Sequence, residues 1–182
     1  GSSKTLASST FTGSAEFING IYLGSYKGSL NYNGKMDEVG VWDRPLSSSE
    51  VTELYNGGSG LSYSDIAPYD VSNINNNINR YYAMEDASGN IVDSTGNYDG
   101  VATGIGYQST GKIDYGIEFD GTSGDKVDTG YDIQSAQQVM STCQWVRPTA
   151  LSSWRSVWRN QDGGNINHGL QQGGSGAYLN KW

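Results

Sequence analysis

The sequence predicts an all-β protein, a sandwich of short antiparallel strands with one short helix near residues 47–56. Three observations predict it. Apolar residues alternate with other residues in short runs such as Val39-Gly40-Val41-Trp42 and Cys143-Gln144-Trp145-Val146, the period of a strand with one buried face. Twenty-six Gly, with abundant Ser, Asn and Thr, break the chain at the spacing of many short strands. Thirteen Tyr and five Trp supply core volume that a hydrophobic content of 35% would otherwise lack.

Taken in order, Thr5 to Phe11 and Ile21 to Ser25 are predicted strands joined by Gly-rich turns. Gly34 to Trp42 follows as a third, stopped by Asp43-Arg44-Pro45 because proline cannot donate to a ladder. Ser47 stands three residues before Glu50, the spacing of a capping box that satisfies the first free amides of a helix. Val51, Leu54 and Tyr55 share a face of that helix, Gly57 ends it, and Trp42 is expected to pack beneath it. Residues 58–78 hold Gly58-Ser59-Gly60, Pro68 and an Asn-rich run, which predicts a solvated tether. A second pattern begins with a strand over Arg80 to Asp86 and a turn-rich stretch over Gly89 to Gly100. Strand text returns at Gly111 to Gly121, Cys143 to Pro148, Trp154 to Arg159 and His168 to Trp182, with a turn at Gln161 to Asn165. Trp145 is expected in the core, and the single Cys143 is expected to act as a small buried hydrophobe.

Two stretches carry a family resemblance. Gly34-Lys35-Met36-Asp37-Glu38-Val39, then Arg44-Pro45-Leu46-Ser47, Glu50-Val51 and Leu54-Tyr55, resemble the closing segment of laminin-G-like, concanavalin A-type jelly-roll domains. Asp93-Ser94-Thr95-Gly96-Asn97-Tyr98-Asp99-Gly100, Gly111-Lys112, Gly116 and Phe119-Asp120-Gly121, with Trp145-Val146-Arg147-Pro148, resemble the opening of the same family. The resemblance implies that residues 1–57 are the back part of one jelly roll, 58–78 a linker, and 79–182 the incomplete front part of a second. A window on a tandem array is the expectation. A permuted domain whose halves close on each other, and a head-to-tail polymer in which each chain completes its neighbour, are the alternatives.

A net charge of −8 argues against a nucleic-acid partner, since little could neutralise a phosphate backbone. No apolar run approaches the length of a membrane span, so no membrane insertion is expected. One histidine leaves no Ser-His-Asp set and no Cys/His metal cluster. A retaining glycosidase on such a fold needs carboxylates two apart on one strand, whereas Asp37 and Glu38 are adjacent and are expected to face opposite ways. No enzymatic activity is expected.

Calcium is the expected cofactor, because Asp93, Asn97 and Asp99 bring hard oxygen donors into one tight turn. The resemblance adds Asp37 and Glu38 as further ligands; a local turn cap is the competing role for Asp93. For glycan, where rings stack on sugar faces and amides read hydroxyls, the candidates are Tyr107, Tyr131, Trp154, Trp158, Asn160, Gln161, Asn165 and Asn167. Two functions remain open by resemblance. One is a non-catalytic recognition or adhesion module for glycan or a surface protein, outside the cell, on the cell surface or on a virion. The other is a structural subunit of a fibre, surface layer or virus particle that self-associates through strand edges. A glycoside hydrolase module, accessory or catalytic, is the third and weakest expectation.

Overall fold

The computed structural model describes residues 20–25, 30–66, 73–131, 140–149, 154–162 and 165–172. In chain order they form β1 (Ile21–Leu23), β2 (Asn33–Trp42), α1 (Ser48–Tyr55), α2 (Tyr63–Ile66), β3 (Ile78–Tyr82), β4 (Val101–Thr103), β5 (Gly106–Thr110), β6 (Tyr115–Asp120), β7 (Lys126–Asp128), β8 (Ser141–Pro148), β9 (Arg155–Asp162) and β10 (Asn165–Gln172). Single 3-10 turns at Asn56–Gly58 and Asn73–Asn75 join them. The strand expected at Thr5 to Phe11, and the end of the one expected at His168 to Trp182, lie outside the described residues.

The strands make two antiparallel sheets. One runs β10-β9-β1-β7-β4; the other runs β3-β2-β6-β5, with β8 also paired to β2. Ile21, Leu23, Val127, Val157 and Trp158 of the first sheet are buried against Met36, Val39, Val41, Tyr82, Ile117 and Phe119 of the second. That shared core is what holds two sheets face to face. The all-β expectation is therefore met. β1 and β2, from the portion assigned to one copy of the domain, pair with β3, β6, β7, β8 and β9 from the portion assigned to another. Within this chain the two portions share both sheets.

A second apolar cluster lies on the outer side of the second sheet. Trp42, Leu46, Leu54, Ile66, Ile74 and Tyr81 are buried in it, with Val51 and Cys143 against them. Trp42 lies under α1 as its spacing predicts, and its indole N–H donates to the Ile74 carbonyl at 2.5 Å. The helix begins as expected: Ser47 caps the Glu50 amide, and the Glu50 carboxylate accepts the Ser47 amide at 2.7 Å. Arg44 then clamps Glu50 at 2.6 Å and holds its carboxyl down at about 2. The described part of 58–78 departs from a solvated tether, because Ile66 and Ile74 are buried and so fasten it to the sheet.

Candidate functional site

β2 is the strand around which the site is built. From Asn33 to Met36 it pairs with β6, and from Val39 to Trp42 the same edge pairs with β3. The other edge pairs with β8 throughout, but Asp37 opposes Trp145 and Gly40 opposes Cys143, so β2 carries one residue more than its partner between them. This is a β-bulge, and Glu38 at φ +50° makes the turn it requires. The expectation that Asp37 and Glu38 face opposite sides rests on an unbroken pleat, and the bulge breaks that pleat. Carboxylate oxygens of Asp37, Glu38 and Glu85, the last just beyond β3, all lie within 4.8 Å of one another.

The fork where β6 and β3 part leaves backbone amides without ladder partners, and the carboxylates take them. Asp37 accepts the amides of Lys112 at 2.6 Å, Ile113 at 2.9 Å and Glu38 at 2.9 Å. Glu85 accepts the Tyr115 amide at 3.2 Å. Glu38 accepts the Tyr81 hydroxyl at 2.5 Å. Gly111 and Gly116 let the β5–β6 turn come this close, since a Cβ on Gly111 would stand 2.7 Å from the Asp37 carboxylate.

Asp37 is 3% exposed and Glu38 4%, while Glu85 reaches solvent. Burial, opposed in part by the three amides, raises the Asp37 carboxyl to about 6. Burial, with Asp37 and Glu85 nearby, raises Glu38 to about 8 despite the Tyr81 hydrogen bond. No ion pair reaches the cluster among the described residues; the two present are Arg44–Glu50 and Arg80–Asp93. Three acids this close need protons or a cation between them. Hard oxygen donors of this kind suit calcium.

Aromatic residues border the cluster. Trp145, opposite Asp37 on β8, is half-buried rather than in the core, and Tyr55 of α1 stacks on it with centroids 5.7 Å apart. The Lys112 ammonium sits 5.1 Å from the Trp145 ring. Gly60 packs on the indole edge, where a Cβ would lie 3.0 Å from Nε1.

The other expected ligands are placed differently. Asp93 is buried, and its carboxylate accepts the amides of Tyr81 at 2.9 Å, Thr95 at 3.0 Å, Asn97 at 3.2 Å and Tyr98 at 3.0 Å. That is the geometry of a turn anchor. Asp99 accepts the Asp93 amide, and the Asn97 side chain donates to the Asn79 carbonyl. Among the glycan candidates, Trp158 lies in the core and Tyr131 is buried with its hydroxyl on Asp43. Tyr107 is half-buried and donates to the Gly89 carbonyl. Trp154 is 50% exposed. Asn160 and Gln161 lie on β9 and Asn165 and Asn167 on β10, with side chains outside the described residues.

No family model, no curated protein and no solved structure matches this chain. No helix among the described residues is long and apolar enough to cross a membrane. Cys143 packs against the outer cluster, and burial pushes its thiol up to about 11, which suits a small hydrophobe better than a nucleophile.

Sequence reasoning missed Glu85, Tyr55, Trp145 and Lys112 as members of one neighbourhood. The signal for Trp145 was present in the chain: it alternates with Val146, whose side chain packs on the inner core, so Trp145 had to face outward. Nothing local marks Glu85, which reaches the cluster only because β3 pairs with β2.

Proposed function

We propose that this chain is a non-catalytic recognition or adhesion module that binds glycan or a surface protein at the Tyr55–Trp145 ring pair, with calcium as the candidate cation at the acid cluster beside it. The setting is extracellular, the cell surface or a virion surface. The observation that carries the reading is the ring pair itself, two stacked aromatics left partly in water on a rigid sheet and helix, flanked by Lys112. Flat apolar rings next to hydrogen-bonding charges are what a sugar or an aromatic-rich protein surface engages. Against catalysis stands the burial of Asp37 and Glu38, which keeps both carboxylates from solvent.

A glycan-array screen of the whole chain, with calcium and with chelator, tests this. The reading expects at least one retained polysaccharide class, and a loss of roughly tenfold or more on Trp145→Ala, about the contribution of one stacked ring. Retention unchanged in Trp145→Ala and Tyr55→Ala would sink it.

A structural role in a fibre, surface layer or virus particle is the second reading. It is favoured by the outermost strands β4 and β5, Val101-Ala102-Thr103 and Gly106-Tyr107-Gln108-Ser109-Thr110, which carry no charge to deter edge pairing. Concentration-dependent assembly without glycan retention would select it.

A further inference from the structure

A second acidic pair lies in the connection between β6 and β7, at the other end of the β2–β6 ladder, where Asn33 pairs with Asp120. Asp120 closes β6 in the second sheet, and Asp125 stands just before β7 in the first. Asp125 is only 4% exposed, and its Oδ2 is buried with no hydrogen-bond partner among the described residues. Asp120 is exposed, and its carboxyl lies within hydrogen-bonding reach of the Asp125 carboxyl.

Two ionised carboxylates are acceptors only, so the pair needs a proton or a cation between them. The surroundings keep them together. The Thr122 amide donates to Asp120 Oδ1 at 2.7 Å and orients that carboxylate. Gly104, in the β4–β5 turn, presents bare backbone to Asp125, where a Cβ would stand 2.1 Å from Oδ1. Of the basic residues around the turn, Lys126 has its ammonium 5.1 Å from the Tyr22 ring centroid, and Arg155, whose Nη1 lies 3.5 Å from where a Cβ on Gly121 would stand, donates that nitrogen to the Asn31 carbonyl at 2.8 Å. A buried carboxylate oxygen without a donor is costly, and a cation is the partner that would satisfy it.

We propose that Asp120 and Asp125 form a divalent-cation site, suited to calcium, that ties the two sheets together at the β6–β7 connection. Carboxylate oxygens are hard donors of the kind calcium takes. One open carboxylate, Asp120, gives the ion its way in from solvent. The site is separate from the acid cluster at Asp37 and does not depend on glycan recognition.

Isothermal titration of the whole chain with calcium chloride up to about 10 mM, well above the 10⁻⁴–10⁻³ M range of extracellular modules, tests the assignment in Glu38→Gln, which weakens the acid cluster as a competing cation site, alone and with Asp120→Asn or Asp125→Asn added. The expected result is a binding event in Glu38→Gln that weakens at least tenfold when Asp120→Asn or Asp125→Asn is added. Asp120 is a surface residue, so its variant decides the matter if Asp125→Asn fails to fold. No heat in Glu38→Gln overturns the proposal. So does binding in Glu38→Gln that Asp120→Asn leaves unchanged.

Discussion

Replacing Glu38 by glutamine should make the protein more stable at alkaline pH and leave it nearly unchanged in acid. The Glu38 carboxyl is raised from its ordinary 4.5 to about 8 by burial and by Asp37 and Glu85. At about 1.4 kcal/mol per tenfold change in proton affinity, ionising it inside the fold costs roughly 5 kcal/mol, a large part of a typical domain's stability of about 5–15 kcal/mol. The sign follows from proton linkage. Between the unfolded value and about 8 the native state holds more protons than the unfolded chain, so stability is complete below pH 4.5 and is lost as pH rises through 8. Asp37, raised from 3.8 to about 6, adds loss of the same sign over the lower half of that window. The glutamine side chain of the variant has no proton to lose, and its amide oxygen still accepts the Tyr81 hydroxyl that Glu38 holds at 2.5 Å. Urea unfolding followed by tryptophan fluorescence, in chelator, should show the two proteins within about 1 kcal/mol of each other near pH 4.5. The variant should lead by about 2–5 kcal/mol near pH 8.5. Parallel stability curves across that range would refute the account of the cluster as three acids without a compensating charge. Added calcium should narrow the gap at pH 8.5, because a cation favours the ionised form.

Asp93→Ala should destabilise the protein by about 2–5 kcal/mol in calcium-free buffer, because it leaves four backbone amides without their acceptor; equal stability of variant and wild type in chelator would instead point to a ligand role. Gly40→Ala should cost about 1–3 kcal/mol or more in thermal or urea unfolding, since its Cβ would fall 2.3 Å from the Trp42 ring and push it off the outer cluster.

How far the sequence was legible depends on whether the signal is local. The α1 cap could be seen because Ser47 and Glu50 satisfy each other within one turn. The strands β2 and β8 could be seen because their alternation is a property of the strand alone. β4 and β5 escaped notice, since Val101-Ala102-Thr103 is short and Gly106 to Thr110 is polar, and only pairing with β7 and β6 makes them strands. The tether reading of 58–78 failed for a related reason: Ile66 and Ile74 are isolated apolar residues in polar text, and what buries them is a sheet formed by residues far away.

The acid pair shows most clearly what period-2 reasoning cannot supply. Alternation places Asp37 and Glu38 on opposite faces only while the ladder is regular, and the ladder ceases to be regular at that point because β2 must serve β6 before it and β3 after it. A strand that changes partners leaves a gap in hydrogen bonding, and carboxylates are good fillers for such a gap because each oxygen accepts more than one amide. The same gap draws them together and raises their proton affinity. One local event, the exchange of β6 for β3, thus accounts for the bulge, the positive φ of Glu38 and the acid cluster. Where a strand paired along its whole length on one edge changes neighbour on the other, adjacent acids in its text are worth examining as a single site rather than as residues of opposite faces.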